Sequence, residues 1–333
     1  MSFVGQSIEK WTQQVASFDR VSLGTWLTPV EPLHLLGVPE GANLWIKRDD
    51  LSSLVYGGNK VRKLEFLFAA SKGTIITVGA LGSHHVLATA LHAATLGREC
   101  IGILTPQPLT PHVRQVNALI EKKCLRVIQM GRPTKCLPSM LMSAFHVASK
   151  IASKEHLALI APGGSTPLGT LGYVLAGLEL AGQVDAGQCP CPEEIYLPLG
   201  TGGTAAGLAL GLALAGLKTE VIAVRVASRL SGNTGFIKLL AARTFSMLTS
   251  QNHKSHEIMP PLRVRISHDF IGKGYGYSTS AAEEAVAQTS LPLEITYSAK
   301  AMAALIRAAH RWPVDRVRMF LDTYGPINDL KTP

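Results

Sequence analysis

Gly57-Gly58-Asn59-Lys60-Val61-Arg62-Lys63-Leu64-Glu65 is the stretch on which the reading of this chain turns. A lysine stands directly behind two glycines and an asparagine, and a further basic pair follows it. Glycines let a backbone approach something flat and bulky. A lysine held in such a place can lose its proton and attack a carbonyl, which gives a Schiff base. Taken alone, Asn-Lys behind two glycines also fits an ordinary surface lysine after a tight turn. The choice rests on what the rest of the chain puts around it.

Outward from Lys60 the chain alternates. The spacing of Leu64, Leu67 and Phe68 predicts a helix over 62–71. Strands follow at 74–79, 99–104, 125–130 and 157–161, separated by helices at 83–96, 111–122 and 138–154. Pro162-Gly163-Gly164-Ser165-Thr166-Pro167 punctuates this block. A second block reads as a helix over 168–182, a strand at 194–199, a helix over 204–217 and a strand at 220–226. The polar stretch 228–256 holds at least one helix near 235–242; helices at 280–289 and 299–311 and a strand at 318–322 close the chain. Ahead of Lys60 stand a helix over 6–18 and a strand at 43–51. Strand–helix alternation predicts an α/β fold with parallel sheets and right-handed crossovers.

Composition narrows the function. The 333 residues suffice for about two domains. Hydrophobic residues make up 47% and charged residues 17%, which gives a large core and excludes a disordered chain. The net charge of +9 admits nucleic-acid or acidic-membrane binding. However, Lys122-Lys123 and Arg316-Val317-Arg318 are short and isolated, so a basic surface around an anion-binding enzyme is the expectation, with neither nucleic acid nor membrane as partner. The run 203–217 is too short to span a bilayer. Cys100, Cys124, Cys136, Cys189 and Cys191 are odd in number and irregular in spacing, and Cys189-Pro190-Cys191 is not a C-x-x-C pair. Reduced thiols, a polar segment at 1–10 without a signal core, and hence a cytoplasmic protein are expected, with no metal site.

Three further places carry chemistry. Leu81-Gly82-Ser83-His84-His85-Val86 follows a strand and opens a helix, with Ser83 as its N-cap. Backbone N–H groups and the helix dipole make such a start, at Ser83, His84 and His85, a candidate anion site, and for an amino-acid substrate the anion is its α-carboxylate. Adjacent helical histidines point in different directions and chelate a metal poorly. Leu199-Gly200-Thr201-Gly202-Gly203-Thr204-Ala205-Ala206-Gly207 follows an apolar strand and forms a nest for phosphate, with two threonine hydroxyls as extra donors. Glycines at 200, 202, 203 and 207 miss the dinucleotide spacing, and no lysine follows as a P-loop requires, so a monophosphate cofactor fits better. A tyrosine phenol near a Schiff base can act as acid or base if its pKa is lowered, and Tyr275 and Tyr297 are the candidates through the family resemblance that follows.

The lysine run closely resembles the G-G-N-K-x-R-K-L-E motif of the pyridoxal-phosphate (PLP) enzymes that include 1-aminocyclopropane-1-carboxylate deaminase and D-cysteine desulfhydrase. The glycine loop is similar almost residue for residue to their G-[ST]-G-G-T-x-A-G phosphate loop. Gly272-Lys273-Gly274-Tyr275-Gly276 resembles G-x-x-Y-G, and Glu294-Ile295-Thr296-Tyr297-Ser298-Ala299-Lys300-Ala301-Met302 partly resembles D-P-V-Y-[ES]-G-K-[AS]-M. The resemblance covers nearly the whole chain. It implies the two-domain fold type II of the tryptophan-synthase-β superfamily: open, mainly parallel sheets flanked by helices. A small domain over 63–167 is inserted in a larger PLP domain over 1–62 and 168–333. It also implies a homodimer.

By the same resemblance, PLP forms a Schiff base with Lys60 beside Asn59, and Gly200, Thr201, Gly202, Gly203 and Thr204 hold its phosphate. Ser83 holds the substrate carboxylate. The family reads S-N-H there, with the asparagine on the cofactor's phenolic oxygen; His84 replaces it, and an imidazole can donate one hydrogen bond to that oxygen. Where the family ends its last core strand with H-[TL]-G-G, this chain has Asp322-Thr323-Tyr324-Gly325. Ser298 and Thr323, beside the pyridine nitrogen, are of the desulfhydrase type; deaminases carry a glutamate and a leucine there. A hydroxyl supports the electron sink less than a carboxylate, which suffices for a good leaving group such as thiolate. The expectation is a PLP-dependent, D-cysteine desulfhydrase-like lyase giving pyruvate, ammonia and sulfide by α,β-elimination, with Lys60 moving the α-proton. Ring opening of 1-aminocyclopropane-1-carboxylate is one alternative. A divergent PLP-binding relative with another substrate or no turnover is the other.

Overall fold

The structure is a computed structural model that describes residues 3–131, 137–227, 232–250, 257–311 and 313–327. Cys136 and the portions 228–231 and 251–256 of the polar stretch lie outside the described residues. In chain order the strands are β1 (Val30–Pro32), β2 (Leu44–Arg48), β3 (Ile75–Ala80), β4 (Cys100–Thr105), β5 (Arg126–Gln129), β6 (Ala158–Ile160), β7 (Glu194–Leu199), β8 (Glu220–Arg225), β9 (Val264–Ser267) and β10 (Arg318–Asp322). The helices are α1 (Phe3–Ala16), α2 (Lys60–Ala69), α3 (His84–Thr95), α4 (Pro111–Lys123), α5 (Leu137–Glu155), α6 (Pro167–Asp185), α7 (Gly203–Leu214), α8 (Thr234–Ser250), α9 (Ser280–Ala287) and α10 (Ser298–Arg311).

Two sheets result, as an α/β alternation requires. The smaller runs β5-β4-β3-β6 and is parallel throughout. The larger runs β1-β2-β10-β7-β8-β9, parallel except for the antiparallel β1–β2 pair. β3, β4 and β7 are apolar along nearly their whole length and buried on both faces, as parallel strands covered by helices must be. Behind the larger sheet, α6 and α7 pack at backbone distance: a Cβ on Gly177 would lie 2.9 Å from Gly211 Cα.

Two strands escape the sequence pattern, and both are sheet edges. β1 ends on Pro32, which an edge tolerates, and β9 is a four-residue strand with little buried surface. The expected strand at 43–51 stops at Arg48, because residues Asp49–Leu51 form a 3-10 turn whose two carboxylates are buried on arginines. α2 begins at Lys60 itself, two residues earlier than the apolar spacing predicts.

Three of the segments singled out in the sequence lie at carboxyl ends of parallel strands. Residues 81–83 follow β3, residues 200–202 follow β7 and residue 323 follows β10. Open sheets bind ligands at such ends.

Candidate active site

The lysine loop is seated on the larger sheet. A Cβ on Gly57 would fall 1.8 Å from the Asp50 carbonyl oxygen, and one on Gly58 2.6 Å from that of Thr323, where φ is +93°. These glycines therefore let the loop press onto the sheet, instead of clearing space for a bound group. Gly58 forms a β-bridge with Tyr324, and the Asn59 N–H donates to the Thr323 oxygen at 3.2 Å. Underneath, Arg62 donates to Asp49 at 2.8 and 2.9 Å and to Glu179 at 2.9 and 3.1 Å, with its guanidinium over the Trp26 ring. Burial works against the Asp49 carboxylate, but Arg62 holds its pKa down to about 2.

Lys60 sits above this clamp. Its Nζ donates to Asn59 Oδ1 at 2.6 Å, and Asn59 Nδ2 donates to Thr204 Oγ1 at 2.9 Å. One asparagine thus joins the lysine to the glycine loop. Burial pulls the Lys60 ammonium down to about 8, so a useful fraction of free amine exists near neutral pH. Lys63, lowered further by burial and by the charge of Lys60, donates to the Gly163 oxygen at 3.1 Å.

The glycine loop turns through Gly202 at φ +84° into the buried first turn of α7. The first N–H groups of a helix lack intrahelical partners and point at whatever sits there. Ser165 faces them: its Oγ accepts the Gly203 N–H at 3.2 Å and lies 2.7 Å from Thr201 Oγ1. Nothing in the sequence around Ser165 marks it as more than loop punctuation. Thr201, Thr204 and the α7 start form a hydroxyl-and-amide cradle that suits a monophosphate.

Tyr297 packs on this loop, with its ring 3.3 Å from where a Gly200 Cβ would stand. Its hydroxyl meets that of Tyr275 at 2.7 Å, the rings edge-to-face at 5.8 Å. Burial raises Tyr275 to about 12 and Tyr297 well above its ordinary value. The lowered pKa that acid or base work by these phenols would need is not found: burial favours the protonated form of both. Ser298 is fully buried, and its Oγ accepts the Glu294 N–H at 2.7 Å and donates to the Glu294 oxygen at 3.3 Å. Its hydroxyl is engaged by main chain as placed. Glu294 itself accepts the Thr296 and Tyr297 N–H groups at 2.8 and 2.9 Å and so caps the start of α10. Its position in a known pattern was visible in the sequence, but this capping was not.

The opposite wall belongs to α3. Ser83 is its N-cap and accepts the Val86 N–H at 3.4 Å. The His85 ring is buried, with Nε2 3.0 Å from Thr77 Oγ1 in β3, so at the helix start it offers its main-chain N–H and not its imidazole. His84 departs from expectation. Tyr56 Oη bonds its Nδ1, and His112 Nε2 stands 3.0 Å from its Nε2. Both ring nitrogens are engaged, so as placed the ring has no N–H free for a cofactor oxygen. Tyr324 meets the His84 ring edge-on at 5.1 Å, which settles that its side chain leans toward α3. Thr323 is half-buried and offers its carbonyl to Asn59. Asp322 is buried, its Oδ1 accepting the Tyr324 N–H at 3.1 Å. Among the described residues no group of three or more His, Cys, Asp or Glu is placed to hold a metal, and Cys100, Cys124, Cys189 and Cys191 are free thiols.

Residues 21–321 match the family described as pyridoxal-phosphate dependent enzymes. The chain belongs to this family. A D-cysteine desulfhydrase of Serratia proteamaculans (strain 568) is 30% identical over 327 residues, covering 94% of this chain and 96% of that protein. A Pyrococcus horikoshii protein, provisionally named 1-aminocyclopropane-1-carboxylate deaminase, is 32% identical over 327 residues, 93% of each chain. A solved structure of an ACC deaminase homologue superposes with a TM-score of 0.77 at 28% identity, covering 95% of this chain and 94% of that one. The processed form of threonine deaminase isoform 2 from Solanum lycopersicum, at 14% identity and a TM-score of 0.60 over 96% and 85% of the two chains, shares the fold. The cofactor of this fold type II enzyme is accordingly pyridoxal phosphate. Its named relatives are deaminases and desulfhydrases. No helix among the described residues is long and apolar enough to cross a membrane.

Proposed function

We propose that the chain is a D-cysteine desulfhydrase-like lyase that removes a β-substituent from a small amino acid and yields pyruvate, ammonia and, from D-cysteine, sulfide. The observation that carries this choice is the pair of hydroxyl residues, Ser298 and Thr323, where a carboxylate and a leucine would mark ring opening. The resemblance to D-cysteine desulfhydrases over 94% of the chain supports it.

Pyridoxal phosphate supplies an aldehyde and a ring that takes up the electron pair left when the α-proton departs. The protein supplies the rest. Lys60 carries the amine that holds the aldehyde and, once free, takes the α-proton; its pKa of about 8 keeps that amine available. Gly200, Thr201, Gly202, Gly203 and Thr204 receive the phosphate, joined by Ser165. Ser83 and the N–H groups of His84 and His85 receive the substrate carboxylate. Tyr275 and Tyr297 donate a proton on the reacting side. The division into 1–62 plus 168–333 and 63–167, homodimeric assembly and a cytoplasmic location are part of the same reading.

A second reading, opening of 1-aminocyclopropane-1-carboxylate, draws on the ACC deaminase homologue. A third, an altered substrate or no turnover, draws on His84, Asp322 and Tyr324. Pyruvate release is to be measured with D-cysteine, β-chloro-D-alanine and 1-aminocyclopropane-1-carboxylate. D-cysteine and the chloro compound are expected to react and the cyclopropane not; the reverse order would sink the proposal. The purified protein is expected to be yellow and Lys60→Ala colourless, with turnover lost.

A further inference from the structure

We propose that Tyr56, His84 and His112 form a hydrogen-bonded proton path between the lysine loop and solvent, with His112 as its outer, positioning member. The proposal rests on reading the chain as a proton-transferring lyase.

The three groups come from separate elements. Tyr56, buried at 4% exposure, directly precedes Gly57 and Gly58. His84 is the first residue of α3. His112 is half-buried in the first turn of α4, behind the exposed Pro111. The rings lie in a near-parallel row: Tyr56 and His84 at 6.3 Å and 6°, His84 and His112 at 5.2 Å and 27°. Tyr324 closes the row edge-on against both imidazoles, at 5.1 Å from His84 and 6.2 Å from His112.

Two Nε2 atoms facing each other at 3.0 Å cannot both carry hydrogen, and two bare nitrogens would not attract. One proton therefore lies between the imidazoles. Transfer inward balances without charge left behind. Solvent gives a proton to His112 Nδ1, and the N–H bond at His112 Nε2 breaks as one forms at His84 Nε2. The bond at His84 Nδ1 then breaks as one forms at Tyr56 Oη, which hands its former proton to the reacting molecule, such as a departing thiolate. Burial, then His112 and Lys60, hold His84 down to about 3, so the ring passes protons on and does not store one at neutral pH. An asparagine at position 84 could bridge the same partners but could not exchange protons in this way.

The test uses 15N-labelled histidine in the full-length protein, with and without added pyridoxal phosphate. Ring-nitrogen resonances of wild type, His112→Gln and Tyr56→Phe are recorded from about pH 5 to about pH 9. Wild-type His84 is expected to stay neutral, with one bare and one protonated nitrogen. His112→Gln should shift Nε2 and Tyr56→Phe should shift Nδ1. A His84 ring unmoved by either substitution would overturn the proposal. With a reactive substrate, His112→Ala is expected to lose about tenfold or more in rate and to regain it with added imidazole. A wild-type rate without response to imidazole would also overturn it. If no substrate reacts, the lyase reading fails, while the nitrogen resonances decide the path on their own.

Discussion

The two walls of the cleft are built differently. On the larger sheet, the lysine loop is pinned through main chain, Gly57 on Asp50 and Gly58 and Asn59 on residues 323 and 324, while the glycine loop rests its Gly203 N–H on the Ser165 hydroxyl. Little there can change without unseating Lys60. On the α3 side, side chains answer one another, Tyr56 to His84 to His112, with Tyr324 across their edge. A wall of side chains can be respelled while the backbone stays. This is where His84 and Tyr324 depart from the pattern the lysine and glycine loops keep. The difference teaches that main-chain seating ties down the lysine loop, while contacts between side chains leave the α3 side room to vary.

The largest expected effect falls on the pinned wall. Arg62→Met leaves Asp49 and Glu179 buried without the guanidinium that pairs them, with only Lys47 and polar neighbours left. Breaking such a buried network costs about 3–5 kcal/mol. Denaturant unfolding should show that loss, against under about 1 kcal/mol for His112→Gln on the half-buried α4 turn. Equal losses at the two positions would break the comparison.

A smaller effect tests the link between lysine and glycine loop. In the wild type the free amine of Lys60 grows as pH rises through about 8. Asn59→Asp places a carboxylate against Nζ, where Oδ1 now stands at 2.6 Å. The charged amine is then favoured, and its pKa should move up by about one unit or more. Protein stripped of pyridoxal phosphate and given it back should develop its absorption band with a midpoint shifted to higher pH by that amount. An unmoved midpoint would show that Asn59 does not govern the lysine.

How much of this was legible follows from the same contrast. Lys60, the glycine loop and both tyrosines stand in contiguous runs whose chemistry is local, so the sequence displayed them. The alternation that sets the two sheets was equally plain, because the inner parallel strands β3, β4 and β7 are apolar along nearly their whole length. Arg62 with Glu179 joins residues 117 positions apart, and His84 with His112 joins residues 28 apart; no spacing rule foretells either. Ser298 shows a subtler limit. Its residue type was visible, but not that its hydroxyl would be spent on the main chain of Glu294. The direction of the tyrosine shifts was also hidden, since it depends on burial that only the assembled cleft provides.

The smallest effect concerns Asp322, at the seam where β10 passes from one wall to the other. Its carboxyl is fully buried, Oδ1 accepts the Tyr324 N–H, and Oδ2 has no hydrogen-bond partner. Burial, then the neighbouring Asp50, holds its pKa well above its ordinary value, which favours the neutral acid. The unfolded chain releases this proton near pH 4. Between that pH and the raised folded value the native state binds the extra proton, and the stability present at low pH is lost as pH rises. Asp322→Asn keeps the acceptor for Tyr324 and cannot ionise, which removes that loss. The variant should match or fall below wild type in Tm near pH 4 and exceed it near pH 8 by on the order of 2 °C. Parallel Tm curves would mean that Asp322 is ionised in the folded protein and that the seam carries a buried charge.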